Sequence, residues 1–180
     1  MALLSSTLYG RLGETEAAIA IRYGQPIVIE TSHLKAYDKT ALEERLREDK
    51  SYSEFGCSTN YYLFNETRVS VHFINNISAS ETYWKMYSMD ELQAVLNLNI
   101  KDGKWKLLTD SKDVSSGVRV LRWTTSTDDK FANYDEGDGE GILHIWDKHF
   151  SDLLDKIKNT EKQKRDAEKD AIIKNNTKGY

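Results

Sequence analysis

The 180-residue sequence has little cysteine, little proline and no long apolar run. Its one cysteine, Cys57, cannot form an internal disulfide, which excludes a disulfide-stapled scaffold. Its one proline, Pro26, leaves the turns to ten glycines and to Asn, Asp and Ser. No stretch approaches the roughly 18 apolar residues that suggest a membrane-spanning helix. What is present, 39% hydrophobic and 30% charged residues, is typical of an ordinary globular protein of one domain or two small ones.

Sequence signatures of catalysis are also missing. There is no GxSxG, Walker or GxGxxG motif. Four histidines are present, none at the i,i+4 spacing of a helical metal pair: His33, His72, His144 and His149. His72 and His144 lie among strand residues, which favours a polar strand position over a ligand or a general base. Cys57 lies in a Phe-Gly-Cys-Ser turn, and an inert thiol is favoured there over a nucleophile. We therefore expect a noncatalytic protein, with an enzyme of unrecognised type as a remaining alternative.

The charge balance argues against a general nucleic-acid binder. The net formal charge is −4, but residues 151–180 carry eight Lys/Arg and six Asp/Glu, a balance of +2. The rest of the chain therefore carries −6, whereas a nucleic-acid-binding domain needs a basic face on its folded part. We expect the partner to be another protein or a second copy of the chain, with no nucleic acid and no transmembrane segment.

The first recognisable element is LYGRLGETEAAIAIRYGQP, residues 8–26. Glu14 and Glu16 favour a helix start, because carboxylates stabilise the positive end of the helix dipole. Gly24 fits the positive-φ position after a helix, and Pro26 ends the run. We expect a helix over residues 14–23 with a buried face formed by Ala17, Ala20, Ile21 and Gly24.

Helices and strands follow one another along the middle of the chain. Capping boxes at Thr40-x-x-Glu43 and Ser88-x-x-Glu91 predict helices over residues 40–49 and 88–99. Between them, residues 52–87 are rich in Tyr, Val, Phe and Trp and are divided by Asn-containing turns, which predicts three antiparallel strands. The apolar stripe of the second helix is formed by Leu92, Val95, Leu96 and Asn99.

The second half repeats this order. VRVLRWTT, KFANY and GILHIW are predicted strands, followed by a helical pattern at Trp146, Phe150, Leu153 and Ile157. WKMYSMDEL (84–92) resembles WDKHFSDLL (146–154), each with a strand that ends near Trp and a Ser-initiated helix. The sequence predicts an α+β fold, with antiparallel sheet and packed helices in one domain over residues 1–159. Two βββα repeats, about 8–108 and 109–159, are the alternative organisation, and residues 160–180 form a charged helical tail.

An acidic, glycine-rich segment is the first candidate site. Its carboxylates are interleaved with three glycines and can wrap a hard cation such as Ca²⁺. The spacing is not that of an EF-hand loop, and Asp-Gly is a strong hairpin signal. A plain turn with no cofactor is therefore favoured over a calcium site. The candidate ligands are Asp135, Glu136, Asp138 and Glu140.

Aromatic residues form the second candidate site. Two adjacent pairs lie on predicted strands, so each pair places one ring on each face of the sheet. Exposed Tyr and Trp beside charged residues are typical of protein-binding surfaces, whereas a sheet packed on helices also needs large rings in its core. The candidate binding residues are Tyr61, Tyr62, Tyr83 and Trp84, with an all-core role as the alternative.

The opening stretch also resembles known proteins. Tyr9-Gly-Arg-Leu-Gly-Glu14 and Arg22-Tyr-Gly-x-Pro26 are similar to the start of a group of small, mostly exported bacterial proteins of unassigned function. The predicted helix at Ser88, Asn99, Trp105 and the Gly179-Tyr180 end support this resemblance. More distantly, a Gly-x-Thr-Glu helix that ends in Tyr-Gly-x-Pro before three antiparallel strands is similar to the beta-lactamase-inhibitor-protein and BamE-like outer-membrane-assembly modules. Those modules bind proteins and are not enzymes.

The resemblance implies a noncatalytic protein-binding or assembly module of the bacterial cell envelope. A structural subunit of a homo-oligomeric or multicomponent assembly is the alternative. Residues 1–10 lack the basic start and the apolar core of a signal peptide, which departs from the pattern of the group. A periplasmic or secreted location is expected if a longer signal has been removed.

Overall fold

Seven strands and three complete helices, with a short helical segment at residues 52–54, form most of the part of the chain that the structure describes. This computed structural model describes residues 11–27, 52–64, 67–86, 88–100, 104–112, 117–127, 129–137 and 140–177. In chain order the elements are α1 (Glu16–Tyr23), β1 (Cys57–Phe64), β2 (Thr67–Ile74), β3 (Ile77–Met86), α2 (Met89–Leu98), β4 (Trp105–Lys112), β5 (Arg119–Thr125), β6 (Lys130–Gly137), β7 (Glu140–Asp147) and α3 (Lys148–Thr177). The predicted α+β class is confirmed, and the helix predicted over residues 40–49 lies outside the described residues.

All seven strands belong to one antiparallel sheet in the order β1-β2-β3-β7-β6-β5-β4. Strands β1 to β3 form one meander and strands β4 to β7 form a second. The two meanders meet where β3 pairs with β7, a contact between residues about 60 positions apart. Because each meander contributes its last strand to this contact, the sheet is continuous across both halves of the chain.

The β3–β7 pairing is symmetric about Thr82 and His144, which are paired with each other. On one side Trp84 pairs with Ile142, and on the other Ser80 pairs with Trp146. Moving forward 62 positions from Trp84 leads to Trp146, and moving back 62 positions from Ile142 leads to Ser80, so this shift relates the two pairs. WKMYSMDEL and WDKHFSDLL are also 62 positions apart, but an antiparallel register is unchanged by any such shift, so the pairing does not select this repeat length. The division into two repeats stays a prediction.

Helix α1 begins and ends as its sequence indicates, but it buries a different face from the predicted one. Thr15 is the N-cap, and its Oγ1 accepts a hydrogen bond from the Ala18 N–H. The helix buries Ile19 and Tyr23, whereas Ile21 is 88% exposed. The prediction was wrong because small alanines lie on several sides of the helix, so their spacing does not define a face. The i,i+4 pair of larger side chains does.

The opening stretch fastens α1 to the sheet. The Gly13 N–H donates to the Ser78 carbonyl, and the Ser78 N–H donates to the Glu14 carbonyl. The Glu14 carboxylate also forms an ion pair with Arg22, with 2.8 Å between Oε1 and Nη2. The conspicuous residues of this stretch therefore have structural partners within the molecule.

Helix α2 matches its prediction closely. Ser88 and Glu91 form both hydrogen bonds of the capping box, and Leu92, Val95 and Leu96 are buried. Asn99, which follows the helix, is 2% exposed, and its Oδ1 accepts from the Leu12 N–H at 2.8 Å. The amide of Asn99 thus joins the end of α2 to the segment that leads into α1.

Helix α3 continues without a break from Lys148 to Thr177. Thirty residues at about 1.5 Å each give a length near 45 Å, but the buried apolar residues Phe150, Leu153 and Ile157 all lie in its first third. Asp147 caps it, with Oδ1 accepting from the Phe150 N–H. The predicted Ser-initiated start is therefore wrong here. Within the described residues, no helix is long and apolar enough to cross a membrane.

The helices pack on opposite faces of the sheet. On one face, here called the helix face, α1 and α2 cover buried strand residues such as Val71, Tyr83 and Ile145. On the other face, the start of α3 packs against Cys57, Ala79 and Trp146 in a smaller cluster. Because α3 covers one end of this second face, the other end is where a candidate site can lie.

Candidate functional site

Seven side chains, one from each strand, form a line across the end of the second face that α3 does not cover. The pairing registers place them side by side, and they are here called the open row: Leu63, Arg68, Trp84, Ile142, Asp135, Val120 and Ser111. Successive residues of a strand point to opposite faces, so all seven side chains point away from α1 and α2.

The open row is apolar in part and accessible. Leu63 is 59% exposed and Ile142 is 37% exposed, while Trp84 and Val120 are half-buried. Arg68 is exposed between Leu63 and Trp84. An alternation of aliphatic, aromatic and charged groups in the open is characteristic of the surfaces by which proteins bind other proteins.

The two aromatic pairs divide between the faces. Tyr62 and Tyr83 are fully buried in the main core on the helix face. Tyr61 and Trp84 belong to the second face and are half-buried. Of the four candidate binding residues, Tyr61 and Trp84 are therefore placed to reach a partner, and Tyr62 and Tyr83 are not.

The indole N–H of Trp84 is buried and has no hydrogen-bond acceptor among the described residues. Leaving a buried donor without an acceptor costs about 1–3 kcal/mol. The ring is thus a large, half-buried aromatic group in the middle of the open row, and the described part of the chain offers its N–H no acceptor.

Two histidines and a phenylalanine pack together at the end of the second face that α3 covers. The Phe150 ring stacks on His72, with 5.0 Å between centroids, and meets His144 edge-on at 6.3 Å. The His144 Nε2 lies 2.8 Å from the Ser80 hydroxyl, and burial lowers the pKa of this imidazole to about 4. His72 Nδ1 lies 2.9 Å from the Thr59 hydroxyl. These contacts dock α3 on the sheet, while His149 is exposed on α3 and His33 lies outside the described residues.

Strand β3 carries a buried carboxyl, Glu81, on the helix face of the sheet. Glu81 is completely buried at the centre of the helix face, and the Tyr83 hydroxyl donates to its Oε2. Burial raises the pKa of Glu81 to about 7, against the smaller opposing effect of the Tyr83 hydrogen bond. The Tyr83 hydroxyl is also 3.1 Å from that of Tyr23. No sequence signal predicts this cluster, because Glu81 resembles any polar residue of a strand.

Of the four carboxylates in the acidic segment, the structure describes those of Asp135 and Glu136, which lie on opposite faces of the sheet. Asp135 belongs to the open row, where its Oδ2 accepts from the Asn133 amide at 2.9 Å, and Glu136 follows it on the opposite face. Strands β6 and β7 pair as far as Gly137 and Glu140, and Asp138 lies outside the described residues. Among the described residues, no three His, Cys, Asp or Glu side chains are grouped to hold a metal ion.

Cys57 is buried beneath α3 in the smaller cluster. Its thiol donates to the Ser58 carbonyl, at a sulfur–oxygen distance of 3.8 Å. Its burial among apolar groups keeps the thiol from reagents in solvent, so this position favours an inert thiol.

Comparisons with protein-family models, with curated proteins and with solved structures find no match for this chain. The resemblance of the opening stretch to exported bacterial proteins and to BamE-like modules therefore stays a prediction.

Proposed function

We propose that the chain is a noncatalytic protein-binding module of the bacterial cell envelope and that it binds its partner through the open row. The open row is the observation that carries the proposal. It supplies an accessible surface with apolar side chains at Leu63, Trp84, Ile142 and Val120, and exposed apolar groups that lie close together on a folded chain mark an interaction site. The envelope location is supported by the resemblance of residues 9–26 to exported proteins.

The centre of the row has the character of a binding hot spot. Trp84 and Ile142 are paired neighbours on the two central strands. Tryptophan is among the residues that contribute most to binding energy, especially when a ring of other contacts excludes water around it.

Photo-crosslinking in cells tests this proposal. Benzoylphenylalanine replaces Leu63 in one version of the chain and Ile21 in another. Both native side chains are exposed, at 59% and 88%, but Ile21 lies on α1 on the opposite side of the sheet. A discrete adduct from position 63 and none from position 21 supports the proposal. Absence of an adduct from position 63, or equal labelling from both positions, refutes it.

A second candidate function is a structural subunit of an assembly, favoured by the far end of α3. Residues 162–170 are exposed, and Ile172 and Ile173 are 60% and 59% exposed. A helix with so little packing gains from a neighbour that covers its apolar residues. Light scattering at high concentration separates the two functions, because a strict monomer contradicts the assembly. If assembly occurs, deletion of residues 160–180 should abolish it and leave the fold intact.

A further inference from the structure

The two outer strands of the sheet differ in how their edges are covered. On β1, the Tyr61 carbonyl accepts a hydrogen bond from the Ile27 N–H at 2.7 Å, so the segment after α1 runs beside this strand. Strand β4 pairs with β5 on its inner side, and among the described residues no strand pairs with its outer side. An unpaired edge presents backbone N–H and C=O groups that can bind another strand.

A groove lies on each side of the β4 edge, with a mixed polar and apolar lining on the helix face and a mainly apolar lining on the second face. On the helix face, Leu107 lines a groove of about 460 Å³ together with Trp105 and Trp123. On the second face, Leu108 lines a groove of about 330 Å³ together with Phe131 and Trp146. Leu107 is 49% exposed and Leu108 is 55% exposed.

A β-bulge explains how consecutive leucines line both grooves. The register shifts between Leu107 and Thr109, so Leu108 is the extra residue. Bulges often blunt an edge strand against pairing. Here the bulge leaves an exposed apolar side chain beside each groove. An added strand with alternating side chains would place one set of them in each groove.

The charged side chains around the β4 edge are mostly basic, which indicates the charge of a segment that would bind there. The described residues of β4 and β5, with Lys104 before them, include five basic side chains and one acidic side chain, although the whole chain has a net charge of −4. The acidic one, Asp110, is held by Arg119 in a two-bond ion pair. The basic set is Lys104, Lys106, Lys112, Arg119 and Arg122. Such a surface favours a segment that carries negative charge.

We propose that the β4 edge binds an extended, acidic peptide segment of a partner protein by strand addition, with its apolar side chains in the grooves beside Leu107 and Leu108. This inference rests on the proposed protein-binding function and names the kind of segment that is bound. Backbone hydrogen bonds to β4 supply affinity, and the two grooves together with the basic side chains supply selection. The groove on the second face lies beside the open row, so one partner can contact both.

Three labelled peptides test the strand addition. The first is Asp-Glu-Val-Val-Val-Val-Val-Glu-Asp, which presents valines on both faces of a strand; the second has Lys in place of each acidic residue, and the third is the acidic peptide N-methylated at its valines. We expect the acidic peptide to bind at least about tenfold more tightly than either of the others. Its amide chemical-shift changes should map to residues 105–112. Equal binding of the N-methylated peptide, or no binding of the acidic peptide at about 1 mM, overturns the proposal.

Variants and a nucleic-acid probe complete the test. Leu107→Ser and Leu108→Ser should each weaken the acidic peptide about tenfold, whereas Ile21→Ser, at an exposed position far from β4, should not. A single-stranded oligothymidylate that binds as tightly as the acidic peptide would assign the basic groups to nucleic acid and overturn the proposal. Failed peptide binding with a persistent adduct from position 63 removes strand addition alone. If benzoylphenylalanine at position 63 forms no adduct, the proposed protein-binding function itself is refuted.

Discussion

Trp84 and Ile142 lie side by side on β3 and β7, the two strands through which the halves of the chain meet, and both side chains point away from α1 and α2. The sequence singles out Trp84 as part of the Tyr83-Trp84 pair, whereas Ile142 has no special sequence context. Their position at the middle of the open row follows from a pairing between segments about 60 residues apart, which gives the proposed binding surface its centre.

Substitutions in the open row should separate binding from folding. Leu63→Ser and Ile142→Thr change accessible side chains, so we expect the free energy of unfolding to fall by about 1 kcal/mol or less. The adduct formed from a photo-crosslinker at Tyr61 should nevertheless be lost. Urea unfolding and crosslinking on the same samples check this. A variant that unfolds readily, or one that keeps the full adduct, contradicts the assignment.

Glu81 should make the protein less stable as the pH rises toward neutrality. Its folded pKa is about 7 and its ordinary value is 4.5. Between these values the unfolded chain loses the proton and the folded chain keeps it, so the free energy of unfolding falls with increasing pH, by up to about 3 kcal/mol. Glu81→Gln should remove this dependence. Urea unfolding from pH 4 to pH 8 measures it, and an identical pH profile for the variant would refute the role of Glu81.

His144 should act in the opposite direction over an overlapping range. Burial lowers its folded pKa to about 4 from 6.5. Between these values the unfolded chain binds a proton that the folded chain does not, so the free energy of unfolding rises with pH up to about 6.5. In Glu81→Gln this rise should become visible, and adding His144→Gln should flatten it. A Glu81→Gln profile without that rise would show that His144 is not the group responsible.

Gly141 should tolerate no side chain while Tyr134 keeps its ring. A Cβ at position 141 would overlap the Tyr134 ring, which covers this glycine. We expect Gly141→Ala to destabilise the protein by about 1–3 kcal/mol, as overpacking generally does. In Tyr134→Ala the same glycine substitution should cost much less, giving a clear coupling energy in a double-mutant cycle. Additive effects of the two substitutions would contradict the contact.

Local signals made some elements predictable from the sequence. The Ser88–Glu91 capping box and the leucine and valine stripe of α2 lie within a dozen residues of one another, and the structure has both. The alternation of rings in Tyr61-Tyr62 and Tyr83-Trp84 is equally local, because neighbours on a strand face opposite ways.

Other features depend on contacts between distant segments and could not be predicted. The burial of Glu81 depends on α1 and β7 covering the same point of β3. The open edge of β4 depends on the strand order of the whole sheet. The buried face of α1 was misassigned because the choice between Ile19 and Ile21 is made by the packing of Tyr23 against Tyr62 and Tyr83, which a short-range pattern does not contain.

The most direct test of the open row is the affinity of the partner isolated through the position-63 adduct. Isothermal titration compares the native chain with Ile142→Asp and with Ile21→Asp, which places the same charge on the other side of the sheet. A buried, unpaired charge in the row should raise the dissociation constant about 100-fold or more, and the α1 charge should change it less than about twofold. Equal effects of the two substitutions, or none from Ile142→Asp, would contradict binding through the open row.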